Sequence, residues 1–95
     1  MRHPILNVSL AQIRQETIAL IQSLEDAVTT HPCWDWPAPM LTLAREFHTL
    51  ATTEPLDAPG IRDFTYRFRE HIVSHRLKGF DDLVCYAEAL ERHAA

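Results

Sequence analysis

DAPGIRDFTYRFREHIVSHRLKGF, residues 57–80, carries the helical pattern that decides the fold. Placed at 100° steps, its apolar side chains separate into two groups. Ile61, Phe64, Phe68 and Ile72 form one stripe, with His75 on its continuation. Tyr66, Val73, Leu77 and Phe80 form a second on nearly the opposite side. A helix that is apolar on two sides either sits centrally with neighbours on both, or buries one side against another chain. Asp57 is placed to cap its start, and Pro59 suits the first turn. Gly79 reads as the residue that ends it. A helix over about 58–78 is expected.

Upstream, Ser9-Leu10-Ala11-Gln12 fits a capping box, with Val8 and Ile13 as the hydrophobic staple around it. Leu10, Ile13, Thr17, Leu20, Leu24 and Ala27 then recur at helical spacing, widened by Ile21 and Val28. Pro32 stops this helix, expected over about 9–29. The connection HPCWDWPAP, residues 31–39, is stiffened by three prolines and holds both tryptophans of the chain, Trp34 and Trp36. Large aromatics there serve either as a lid on the core or as a partner-binding anchor. Helix 2, about 38–52, presents Met40, Leu43, Ala44, Phe47, Leu50 and Ala51, with Leu41 on the flank. Downstream, Asp81 and Asp82 suit the positive end of a helix dipole. Leu83, Val84, Ala87 and Leu90 supply the inner face of a helix over about 81–93. The expected architecture is all-α: an up-down four-helix bundle forming one domain over residues 1–95.

The chain has 95 residues, a formal net charge of -4 and only two glycines. That length suits one core, and the glycine scarcity favours helix over strand. Mild acidity argues against nucleic-acid binding through net charge. Cys33 and Cys85 lie far apart with no CxxC spacing, which fits a reduced, cytoplasmic protein rather than a disulfide scaffold. The N-terminal MRHPILNVSL has too short an apolar run for a signal peptide, and no segment reaches membrane-spanning length.

The motif with the most chemistry in it is Ser74-His75-Arg76-Leu77-Lys78-Gly79. A helix-surface histidine offers a ring nitrogen to a phosphoryl group, a lysine one turn on supplies positive charge, and glycine leaves room for an approaching partner. The string His-x-Leu-Lys-Gly resembles the phosphoacceptor motif of histidine phosphotransfer domains, which are four-helix bundles. The resemblance implies His75 as phosphoacceptor, Lys78 as its electrostatic support and Gly79 as the small residue. His71 and His75, four apart, share a helix face at a spacing that lets two imidazoles reach one metal ion, with His48 and Glu70 as further donors. The segment is also similar to the ligand helix of hemerythrin-like bundles, with His75 where that family has a glutamate. His31 and Cys33 form a second, sparser metal-capable pair. Arg69 and His75, six positions apart, resemble the Arg–His signature of helical HEPN ribonucleases.

Against these stands the absence of a Gly-rich phosphate loop, of a nucleophile with an adjacent base, and of paired carboxylates. The reading favoured by the residues is a non-enzymatic interaction module: an adaptor, regulatory subunit or inhibitor-type partner. It meets another protein or a second copy through helix 3, with no membrane, nucleic acid or cofactor implied. Its expected surface combines Trp34 and Trp36 with Tyr66, Val73 and Leu77, rimmed by Arg69 and Arg76. The basic edges of helix 3 have a plainer use as well, pairing with carboxylates of neighbouring helices.

Overall fold

The computed structural model describes residues 8–95, so the reading of the first seven positions lies outside the described residues. Four α-helices follow one another: α1 (Leu10–Thr30), α2 (Pro37–Thr52), α3 (Ala58–Ser74) and α4 (Asp81–Ala94). Among the described residues there is no strand. The chain is an all-α four-helix bundle, as its periodicity implies.

Local signals start the helices where expected. The Ser9 hydroxyl accepts from the Gln12 backbone N–H at 3.1 Å, and buried Val8 closes that end. Asp57 accepts from the Gly60 N–H at 3.2 Å. Each cap satisfies one amide that the first helical turn leaves without an intrahelical partner. Asp81 and Asp82 occupy the first turn of α4, which has no side-chain cap.

Neighbouring helices run in opposite directions around a closed ring. Arg14 near the start of α1 reaches Ala51 O and Glu54 at the end of α2, both at 2.7 Å. Arg62 and Arg69 of α3 pair with Glu91 and Glu88 of α4, in reversed order. Arg67 of α3 pairs with Glu46 of α2. His93 Nε2 lies 2.9 Å from the Val8 carbonyl oxygen, joining the end of α4 to the start of α1. Inside the ring, Phe47, Phe64 and Phe68 stack in a row with centroids 5.4 and 5.7 Å apart. Each is fully buried, worth about 1.5–3 kcal/mol of transfer free energy apiece. Thr17 and Thr65 are buried too, their hydroxyls donating to the carbonyl oxygens of Arg14 and Ile61 at 2.9 Å. Those bonds remove the cost of burying a hydroxyl.

The stripes of α1, α2 and α4 face the core largely as expected. Two positions differ: Leu41, expected on a flank, is buried, and Ala89 joins the inner face of α4. On α3, Ile61, Phe64 and Phe68 are buried.

The end of α3 corrects the sequence reading. The helix stops at Ser74, four residues before the expected boundary, and Gly79 is not its cap. His75 is the C-cap, and Arg76 follows with φ of 52°, in the left-handed region. The Leu77 N–H donates to Ile72 O at 3.0 Å, and the Arg76 N–H donates to Val73 O at 3.2 Å. This pair of bonds is a Schellman motif, with Leu77 and Ile72 as its apolar couple. Residues 75–80 are therefore a six-residue connection, and Gly79 supplies a second positive-φ position within it, at 86°.

Shortening the helix dissolves the second apolar stripe. Leu77 and Phe80 leave the helix and pack, half-buried, against the core cluster. Only Tyr66 and Val73 remain on α3, 63% and 73% exposed. The expectation that His75 extends the buried stripe fails for the same reason: it is the cap beyond the last helical residue and is exposed.

Candidate functional site

Both six-residue connections, 31–36 and 75–80, lie at one end of the bundle. The opposite end holds residues 53–57 and the pairing of Arg14 with Glu54. Aromatic rings bridge the two connections. His31 stacks on Trp34 with centroids 3.7 Å apart, and Trp34 lies 6.0 Å from Trp36. Trp36 then meets Phe80 edge-on, also at 6.0 Å. Trp36 packs against the core, while Trp34 stays 48% exposed. Trp36 thus takes the lid position foreseen for this pair, and Trp34 does not.

Two shallow hollows adjoin this run and share Trp36 and Leu77. One, of about 290 Å³, is lined by Asp35, Trp36, Pro39, His71, His75 and Leu77. The other, of about 310 Å³, is lined by Trp36, Arg76, Leu77, Lys78 and Phe80. Each is at the small end of the range for ligand sites, about 300–1,000 Å³. They suit one or two side chains rather than a large cofactor.

The histidines meet in the first hollow. The rings of His71 and His75 lie 4.2 Å apart, tilted by 31°. His75 Nδ1 is 3.0 Å from the His71 carbonyl oxygen. A carbonyl only accepts, so Nδ1 carries the proton in this bond and Nε2 keeps the free lone pair. Burial lowers the His71 pKa from its ordinary value, and the neighbouring His75 lowers it further.

Among the described residues, no group of three or more His, Cys, Asp and Glu side chains converges as a metal site requires. His48 is half-buried in α2, nine residues from Pro39, or about 13 Å along the helix axis. Glu70 is exposed in α3, and Cys33 is an exposed free thiol. The sequence-level grouping of His48 with His71 and His75 is therefore not assembled.

Charge at this end differs from the rest of the surface. Among the described residues, Arg14, Arg45, Arg62, Arg67 and Arg69 each form an ion pair with a carboxylate on another helix or connection. Arg67 holds both Glu46 and Asp63, and those bonds push its pKa up. The basic edges of α3 thus mainly tie helices together, and Arg69 is engaged by Glu88 rather than left as a rim charge. The described cations outside any ion pair are Arg76, Lys78 and Arg92. Arg92 lines a separate hollow beside Glu88 and Glu91. Arg76 and Lys78 both border the hollow under Trp36.

Of the residues expected to form one surface, Trp34, Trp36, Leu77 and Arg76 gather here. Tyr66 and Val73 stand along the exposed side of α3 as a separate pair. Sequence reasoning missed Phe80 as a wall of the site, because it assigned that residue to a helical stripe. The couple Ile72 and Leu77, five apart, is the signal that marks the earlier helix end. No described helix is long and apolar enough to cross a membrane. Comparison of the chain with family models, characterised proteins and solved structures finds no match.

Proposed function

We propose that the chain is a small interaction module that binds another protein through the end of the bundle built from residues 31–36 and 75–80. The observation that carries this reading is the half-exposed Trp34, held in an aromatic run beside two side-chain-sized hollows. Tryptophan and arginine are the residues most often found dominating binding energy at interfaces. A ring already fixed by stacking on His31 and Trp36 gives up little further freedom on binding. Most other functional chemistry lacks its parts here, since the histidines stand as a pair and the α3 arginines are engaged by carboxylates.

The test is photo-crosslinking in cells. A photoreactive phenylalanine replaces Trp34 in one version and the exposed Gln22 of α1 in another. A discrete adduct from position 34 that is missing from position 22 supports the reading. Equal patterns from both positions, or none from position 34, refute it.

A second reading is phosphotransfer through His75. It is favoured by the ring's exposure and by the bond that leaves Nε2 available for attack on phosphorus. Incubation with acetyl phosphate should then give an acid-labile label that is lost in His75→Gln. No label on the native protein removes this reading.

A further inference from the structure

We infer that the partner is an acidic peptide segment that seats a bulky apolar side chain in the hollow lined by Trp36, Leu77 and Phe80 and sets carboxylates against Arg76 and Lys78. This rests on the interaction reading above and specifies the chemistry of what is bound.

Three independent observations support it. First, five of the eight described Lys and Arg residues are neutralised by carboxylates of this chain, yet the two bordering the Trp36–Phe80 hollow are not. On a protein of net charge -4, this hollow is rimmed by two unpaired cations and by no carboxylate. Such a rim steers and orients an anionic partner. Second, the hollow's floor is apolar, made by Trp36, Leu77 and Phe80, so it accepts a side chain and not a bare anion. Third, Arg76 holds φ at 52°, a conformation that an L-residue adopts at a cost and that glycine adopts freely. Costly backbone conformations are retained where the surroundings or the function demand them. Here the backbone turn would be served by glycine, at the loss of one of the two cations beside the hollow.

A nucleic-acid strand would also meet cations and aromatic faces. The same end, however, carries Asp35, Asp81 and Asp82, which repel a continuous polyanion. They leave room for a segment with carboxylates at only one or two points.

Both tryptophans of the chain lie at this end, so tryptophan emission reports on the site alone. The experiment selects a random dodecapeptide library on the immobilised full chain. Tryptophan-free winners are then titrated by fluorescence against the native protein, Lys78→Gln and the Arg76→Gln/Lys78→Gln pair. Expected winners place Asp or Glu beside Phe, Leu or Met. They should shift tryptophan emission saturably and weaken about tenfold against the double variant, with a smaller loss for Lys78→Gln. Circular dichroism of both variants should be unchanged, because these side chains are exposed. Winners that are neutral or basic, affinity indifferent to both substitutions, or no enrichment would overturn the inference. So would saturable quenching by a thymidine dodecamer at lower concentration than by the peptides. A position-34 crosslink without an acidic preference defeats only the inference; loss of the crosslink defeats the interaction reading as well.

Discussion

The left-handed Arg76 makes a prediction whose sign depends on where α3 ends. Replacing Arg76 with alanine or with glycine removes the same positive charge from beside the negative end of the α3 dipole. The two variants therefore differ only in backbone terms. At φ of 52°, alanine keeps the clash between Cβ and backbone that costs an L-residue about 1–2 kcal/mol. Glycine escapes it but loses about 0.5–1 kcal/mol through the greater freedom of its unfolded chain. Arg76→Gly should thus be more stable than Arg76→Ala by about 1 kcal/mol. For a domain of this size that corresponds to a melting difference of about 4–8 °C. If α3 instead ran on to Lys78, position 76 would be a helix interior, where alanine beats glycine by about 1 kcal/mol. The order would then invert. Arg69, in the middle of α3, provides the control: there the alanine variant should be the more stable of its pair. Thermal and urea unfolding of the four variants, with unchanged urea dependence, measures both differences. Arg76→Ala equal to or more stable than Arg76→Gly would refute the assigned helix end, and with it the geometry of the candidate site.

Three further outcomes are expected. Gly79→Ala should destabilise by about 1 kcal/mol through its φ of 86° alone, since nothing lies within 4 Å of an added Cβ; a crystal structure of the variant should show no displaced neighbour. His71 has a folded pKa below its unfolded value of about 6.5. Its contribution is therefore fully present above that pH and is lost as pH falls through the folded pKa, because the unfolded chain binds the proton more tightly. Urea midpoints should drop between pH 7.5 and 5.5, and His71→Gln should flatten that slope; an unchanged slope would show that other groups govern it. Phe64→Ala, removing the middle ring of the Phe47–Phe64–Phe68 stack, should cost about 3–5 kcal/mol, read as a fall in urea midpoint.

Much of the fold was legible because its signals are local or periodic. Ser9 and Asp57 declare helix starts through side chains that bond three residues on, and Pro32 bars continuation of α1. The spacing of Ile61, Phe64 and Phe68 needs only a 3.6-residue period to place them on one face. The end of α3 was illegible for a different reason. Glycine is the usual bearer of positive φ, so Gly79 outranked an arginine three residues earlier, and every residue between then fell onto an imagined helical wheel. What decides the true end is tertiary: Leu77 must leave the helix to pack at the bundle end where Trp36 arrives from the other connection. The neutralisation of Arg62 and Arg69 was readable as a class of outcome, pairing with neighbouring helices, but not as particular partners. Glu91 and Glu88 come opposite them only once α4 has folded back along α3.

The connection 75–80 contains its own comparison. It turns twice through the left-handed region, at Arg76 and at Gly79, and meets the rule for such positions only once. Gly79 is in open space, so its conformation alone accounts for the residue. At Arg76 the same conformation is carried by a long cationic side chain, one of two unpaired cations beside an apolar hollow. A sequence shaped by stability alone would hold glycine at both turns. Strain kept at one and relieved at the other means that Arg76→Gly should differ from Arg76→Ala in stability and from the native protein in binding. It should be the more stable of the two, having shed the clash that arginine and alanine share, and, like alanine, lose affinity for acidic peptides. A glycine variant with native affinity would show that the arginine side chain contributes nothing at the hollow, leaving its backbone conformation without a functional reason.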